Sequence, residues 1–312
     1  MAAEPHTDDF IEILYKYTDF SGAQNILSNR TLRFARASEM NDPFDVYIAD
    51  LFGMDLDEFF EESRNAGLEA LLSSPERVAA LTDADVTKIH EHSERLRTVS
   101  AEERARRQER LHALVKADPQ HQEMQTALER QRDEFAERFR KQGIFCATST
   151  YSNLLMWAHY ADKHQGVVLG FLPDLEKDSF LRLIRPVRYS PERPNLLEPP
   201  QQQIAAGLPP TPFDAGKQIN ERVLYTKSTE WSYEQELRLT FPEEIRDGET
   251  ATFNRFYANE LVEIYLGYRI TDDNKAGIIR LAKALNPDVR VFKARLAKRK
   301  YALEFDPVSV RD

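Results

Sequence analysis

The chain has 312 residues, of which 41% are hydrophobic and 30% charged, and a formal net charge of -10. That is enough apolar material to bury a substantial core in one large domain or two ordinary ones, without staples. The single cysteine, Cys146, excludes an internal disulfide and any cysteine-cluster zinc site, and the acidic balance argues against indiscriminate coating of DNA while leaving room for a local basic patch.

The expected location is the cytoplasm. One cysteine fits a reducing compartment, the opening MAAEPHTDDF carries acids where a signal peptide carries basic residues, and no apolar run approaches the roughly 20 residues of a spanning helix. Along the chain, Ile13 to Tyr17 reads as a strand, Asp19 to Leu27 as a short helix and Thr31 to Ala35 as a second strand. A turn follows at Asn41-Asp42-Pro43, with Phe44 expected to anchor it in the core. From about Asp55 to Lys141 the composition shifts to Glu, Arg, Gln, Ala and Leu, which predicts long exposed helices. Met124, Leu128, Gln131, Phe135 and Phe139 recur near helical spacing after a break at Pro119. We read residues 54–142 as a helical insertion in an α+β core formed by 1–53 and 143–312.

The β pattern resumes with IFCATST, then a helix capped by Ser152 or Asn153 and stopped at Gly166, then the strand VVLGF. Leu181 to Tyr189 predicts a further strand, and the seven prolines of Pro191 to Pro212 predict an irregular surface loop. Later strands are expected within Leu224 to Phe241 and Leu261 to Ile270. A helix from about Asp273 to Leu285 and a terminal strand pair flanking Lys298, Arg299 and Lys300 complete the core.

The segment WSYEQELRLTF, Trp231 to Phe241, separates at strand period into two faces. Tyr233, Leu237, Leu239 and Phe241 point one way with Gln235; Glu234, Glu236, Arg238 and Thr240 point the other. Two glutamates on one strand face need either full solvation or a cationic partner, for which Arg238 and Lys227 are the candidates. Arg33, on the second strand, suits a pyrophosphate or a surface ion pair. Trp157 and Tyr160 offer flat surfaces on which a nicotinamide or base can stack, or else core packing. His159 and His164, five residues apart, diverge around a helix, so no metal site is expected; His159 reads as a hydrogen-bonded structural histidine or a base. The chain lacks a P-loop, a strand-linked G-x-G-x-x-G and a G-x-S-x-G elbow, which leaves phosphoryl transfer, Rossmann dehydrogenation and serine hydrolysis without their cradles.

Three stretches, LYKYTDFSGAQNILSNRTLRFARASEMNDPFD, FCATSTYSNLLMWAHYADKHQGVVLGF and LYTKSTEWSYEQELRL, together resemble a bacterial family known as domain of unknown function 2971. The same order of parts also resembles the ADP-ribosyltransferases, in particular their nucleic-acid-modifying branch. That resemblance implies a core of two small antiparallel sheets, NAD as substrate and Glu236 as catalytic carboxylate, with Glu234 two residues earlier orienting the acceptor or taking its proton. It places Tyr15, Lys16, Tyr17 and Thr18 on the first strand against the dinucleotide, with Lys16 where many members carry His. Ser149, Trp157, His159, Tyr160, Asn41, Asp42, Arg33 and Arg238 complete the expected binding set.

The function expected on these grounds is an NAD-consuming toxin or phage-defence effector that modifies nucleic acid or protein, restrained by an antitoxin or immunity partner, or an NAD glycohydrolase with the same site. The contrasting expectation is a non-catalytic module that binds its partner through the helical insertion. Lys293, Arg295, Lys298, Arg299 and Lys300, with Arg182, Arg185 and Arg188, are either a guide for a nucleic-acid backbone or a solvated charged face.

Overall fold

The computed structural model of the chain describes residues 13–48, 61, 82, 86–91, 100–194 and 219–309. The chain divides into two compact units. One contains Met1–Val46, Phe139–Glu192 and Leu224–Asp312; the other contains Tyr47–Arg138 and Arg193–Val223. The segment 193–223, which the sequence assigned to the core, therefore groups with the insertion, and the proline-rich stretch lies mostly outside the described residues. In the inserted region, α2 (Ala101–Lys116) and α3 (Pro119–Arg140) are the expected helices. Pro119 stands at the first position of α3, where its missing N–H costs nothing.

The first unit mixes helix and sheet, as expected of α+β. The sequence predicted two small antiparallel sheets; the structure instead joins ten strands into one sheet and adds a separate two-stranded one. Its opening elements are β1 (Leu14–Thr18), α1 (Phe20–Asn29), β2 (Thr31–Arg36) and β3 (Gln142–Thr148). Asp19 caps α1 by accepting from the Gly22 amide. The short helix α4 (Leu154–Tyr160) precedes β4 (Val167–Phe171). Next come β5 (Arg185–Pro186), β6 (Arg188–Ser190), β7 (Thr226–Ser228), β8 (Glu236–Glu244) and β9 (Ala251–Arg255). The unit closes with β10 (Leu261–Leu266), α5 (Asp272–Leu285), β11 (Arg290–Leu296) and β12 (Leu303–Pro307).

The principal sheet runs β12-β11-β10-β4-β1-β3-β2-β9. Its pairs are antiparallel except β10 with β11, which α5 joins as a β-α-β crossover. β6 and β7 form the separate parallel pair. The predicted strand Leu181 to Tyr189 is broken: Phe180–Leu183 is a 3-10 turn, and Pro186, which has no N–H to donate, ends β5 after two residues. Leu14, Leu32, Phe34, Phe145, Leu169 and Phe171 fill one face of the sheet beneath α1 and α5. Tyr15, Tyr17, Trp157, Val168 and Tyr265 pack on the other. Such alternation follows from the two-residue period of β1 and the strands beside it.

The sheet forks at β3. β8 pairs with this strand along its length, from Gln142↔Glu244 to Thr148↔Glu236. β1 reaches β3 only at Thr148 and β2 only at Gly143 and Ile144, and no pairing joins β1 to β2 among the described residues. A strand has two edges, so β1 and β2 share the one that β8 leaves and diverge from it. Between their contacts the Cys146 carbonyl accepts from the side chain of Lys16 at 2.8 Å.

Candidate functional site

A cavity of about 960 Å³ occupies the fork, a size typical of small-molecule and cofactor sites. β1 gives it Tyr15, Lys16, Tyr17 and Thr18; β2 gives Arg33; α4 gives His159 and Tyr160; the turn after β2 gives Asn41; and Glu236 comes from the start of β8, with Glu234 just before it. Ten of the fourteen site residues expected from sequence thus line one cavity.

The two glutamates meet for a reason other than strand alternation. Thr229–Glu234 is a 3-10 turn and Gln235 adopts a left-handed conformation, φ 45°, before β8 begins at Glu236. Both carboxylates nevertheless reach the same cation. Lys227 Nζ donates to Glu234 Oε2 at 2.6 Å and to Glu236 Oε2 at 3.1 Å. Arg238 Nε donates to Glu236 Oε1 at 2.8 Å, while its two terminal nitrogens clamp Asp45 at 2.9 and 2.8 Å. All five side chains are buried, so of the two alternatives open for the glutamates, full solvation or cationic partners, the structure has the second, with Lys227 and Arg238 as those partners. Three carboxylates oppose two cations there, leaving one negative charge in excess.

Burial alone would raise the Glu236 carboxyl, but Arg238 and Lys227 outweigh it and hold the group at about 2. Burial opposes the charge of Lys227 as well, and Glu236 with Glu234 overcomes it, so the ammonium titrates above its ordinary range. On the opposite wall, burial pushes Lys16 down and the nearby Arg33 adds to the effect. The Tyr160 hydroxyl accepts from Asn41 Nδ2 at 2.7 Å and donates to Glu234 Oε1. Its proton is held tightly, through burial and then through Glu234.

Four expected site residues lie off the cavity wall. Trp157 is fully buried in the second core cluster, its ring edge-on to Tyr17 and its Nε1 donating to the Tyr151 carbonyl at 2.8 Å. Asp42 accepts from the Phe44 amide at 2.9 Å within its turn. Ser149 reaches Gln235 Oε1 at 3.1 Å, and Arg238 supports Glu236 from behind. Phe44, expected as the anchor of this turn, is instead 65% exposed. The anchors are Asp45, through Arg238, and Val46, which is buried with a φ of 55°.

Reasoning from sequence singled out Lys227 only as a counterion, and Asp45 not at all. A cation seven residues before the first glutamate was a signal for the former; the pairing of Asp45 with Arg238 spans 193 positions and leaves no local trace.

Residues 156–239 match the family described as "Protein of unknown function (DUF2971)". Searches of curated proteins and of solved structures find no match. The matched stretch, about a quarter of the chain, carries His159, Tyr160, Lys227, Glu234 and Glu236 of the cavity lining, with Arg238 behind them.

Proposed function

We propose that the fork cavity binds NAD and cleaves its nicotinamide–ribose bond, transferring ADP-ribose to a nucleic-acid or protein acceptor. The observation that carries this reading is an ionised carboxylate, Glu236, held by Arg238 from behind and by Lys227 beside it on the wall of a cavity large enough for a dinucleotide. In such a cleavage the bonding pair leaves with the ring nitrogen, the pyridinium becomes neutral nicotinamide, and the ribose C1′ takes on oxocarbenium character. The acceptor then bonds to C1′ and releases its proton to solvent.

A wall with one excess negative charge favours that cation, and because the network is fixed before the substrate arrives, little reorganisation is needed as charge develops. Both Glu234 oxygens are engaged by Tyr160 and Lys227, so this residue orients the site and is poorly placed to take a proton. Arg33, exposed at the rim, and Lys16, deeper in the fork, supply positive charge for the pyrophosphate.

Incubation with NAD should release nicotinamide, measured by chromatography. Glu236→Gln should lower that release per folded molecule about a hundredfold, a cost of roughly 3 kcal/mol. Undiminished turnover in this variant, or no turnover by the intact protein with any offered acceptor or water, would sink the catalytic reading. Arg33→Ala should leave the fold intact and raise KM for NAD by about ten- to a hundredfold, as loss of a charge-assisted hydrogen bond does.

A further inference from the structure

A second charged feature begins at the cavity and leads away from it. After α4 the chain makes three consecutive left-handed residues, Asp162, Lys163 and His164, with φ values of 45°, 51° and 70°. Asp162 lines the cavity and Lys163 points into solvent. The His164 carbonyl accepts from the Arg269 amide at 3.0 Å, and the exposed Arg269 guanidinium lies 5.7 Å from the Tyr268 ring. Lys293 Nζ donates to the Gly267 carbonyl, with Lys275 close enough to push the Lys293 ammonium down after burial has done so.

Leu266 of β10 pairs with Lys293 of β11. β11 runs on to Leu296, roughly 10 Å further at strand rise. The hairpin tip follows, where Lys298, Arg299 and Lys300 are exposed and Tyr301 is 103% exposed. None of Lys163, Arg269, Lys298, Arg299 or Lys300 lies within ion-pair distance of a carboxylate among the described residues. Arg295 is paired with Glu304 and Asp306 and is not counted. The acids along this track are Asp162, lining the cavity, Asp272, near Lys293, and Glu304 and Asp306, both engaged by Arg295.

We propose that this track, from Lys163 and Arg269 to the β11–β12 tip, binds single-stranded nucleic acid and delivers it to the fork cavity. Cations without counterions, on a protein whose net charge is -10, attract a polyanion locally against the field of the whole molecule. Tyr268 and Tyr301, spaced among them, supply faces on which unpaired bases stack, which a duplex cannot exploit. The delivery step rests on the NAD reading above; the binding does not.

The test is fluorescence anisotropy with a labelled 20-nucleotide single strand, as RNA and as DNA of the same sequence, without NAD, at 50 and 200 mM salt. Binding should weaken with salt. Lys298→Ala/Arg299→Ala/Lys300→Ala should reduce the slope of log affinity against log salt by about 2, from about 0.7 per phosphate contact. Tyr301→Ala should weaken binding about 5- to 150-fold at constant slope. All four positions are exposed, so circular dichroism should be unchanged. The proposal falls if the intact protein shows no salt-dependent binding, if the triple variant binds like the parent, if a duplex of the same length binds tighter, or if anionic phosphatidylglycerol vesicles compete as well as the strand does. Glu236→Gln should bind the strand normally, so failure of the NAD reading and failure of this one give different results.

Discussion

Glu236 is ionised at a cost that its neighbours repay, and this sets how the protein responds to acid. Its ordinary value is 4.5 and its folded value about 2. Between those limits the unfolded chain binds a proton that the folded chain does not, so stability is fully present above about pH 4.5 and is lost as pH falls through the window. By pH 3 this single group should have withdrawn about 2 kcal/mol, read as a fall in the urea midpoint between pH 6 and pH 3. Removing the carboxylate also has a structural cost. Lys227 keeps Glu234 and Arg238 keeps Asp45, so Glu236→Gln should destabilise by about 2 kcal/mol, less than the roughly 3–5 kcal/mol of a buried pair broken outright. Asp45→Asn, which strips the bidentate clamp from a fully buried guanidinium, should approach that larger figure. If Arg238 positions Glu236, Asp45→Asn should lower kcat for nicotinamide release while leaving KM for NAD unchanged, a split that simple instability would not produce.

At the level of elements, the sequence carried the strands and the capped helices but not the places where the backbone departs from them. β1, β2, β4 and α5 fall within a residue or two of expectation because their apolar periods and caps are local. α4 was expected to run to Gly166 and stops at Tyr160, since three left-handed residues follow in a stretch without the glycine or asparagine that would announce them. The glycine is there for a different purpose. A Cβ at Gly166 would stand 2.2 Å from the Thr18 carbonyl, so Gly166→Ala should push β1 from β4 and cost at least about 1–3 kcal/mol, measured by denaturant unfolding. Gln235 presents the same difficulty for a sequence reading. The left-handed turn at this residue lets a 3-10 segment and a strand aim Glu234 and Glu236 at one lysine, and the residue type gives no hint of it.

For the molecule as a whole, composition and periodicity reached the α+β class and the helices α2 and α3, whereas the joining of ten strands into one sheet depended on pairings between residues far apart in sequence, such as Cys146 with Arg238. Most of the cavity wall was legible because β1, α4 and the first residues of β8 each carried it in a short motif; its supporting network was not, because Asp45 and Arg238 lie so far apart. The fork has a consequence for how the fold breathes. At one end of the shared edge of β3 stand β1, β4, β10, β11 and β12, and at the other end β2 and β9; β8 backs the opposite edge throughout. A partial opening that frees either group leaves the other holding β3, so the amides of Phe145 and Ala147 should exchange with deuterium only on global unfolding, more slowly than those of β2 or β12. A small molecule spanning the gap would tie the two groups together, and the protection it adds would appear first in β1 and β2.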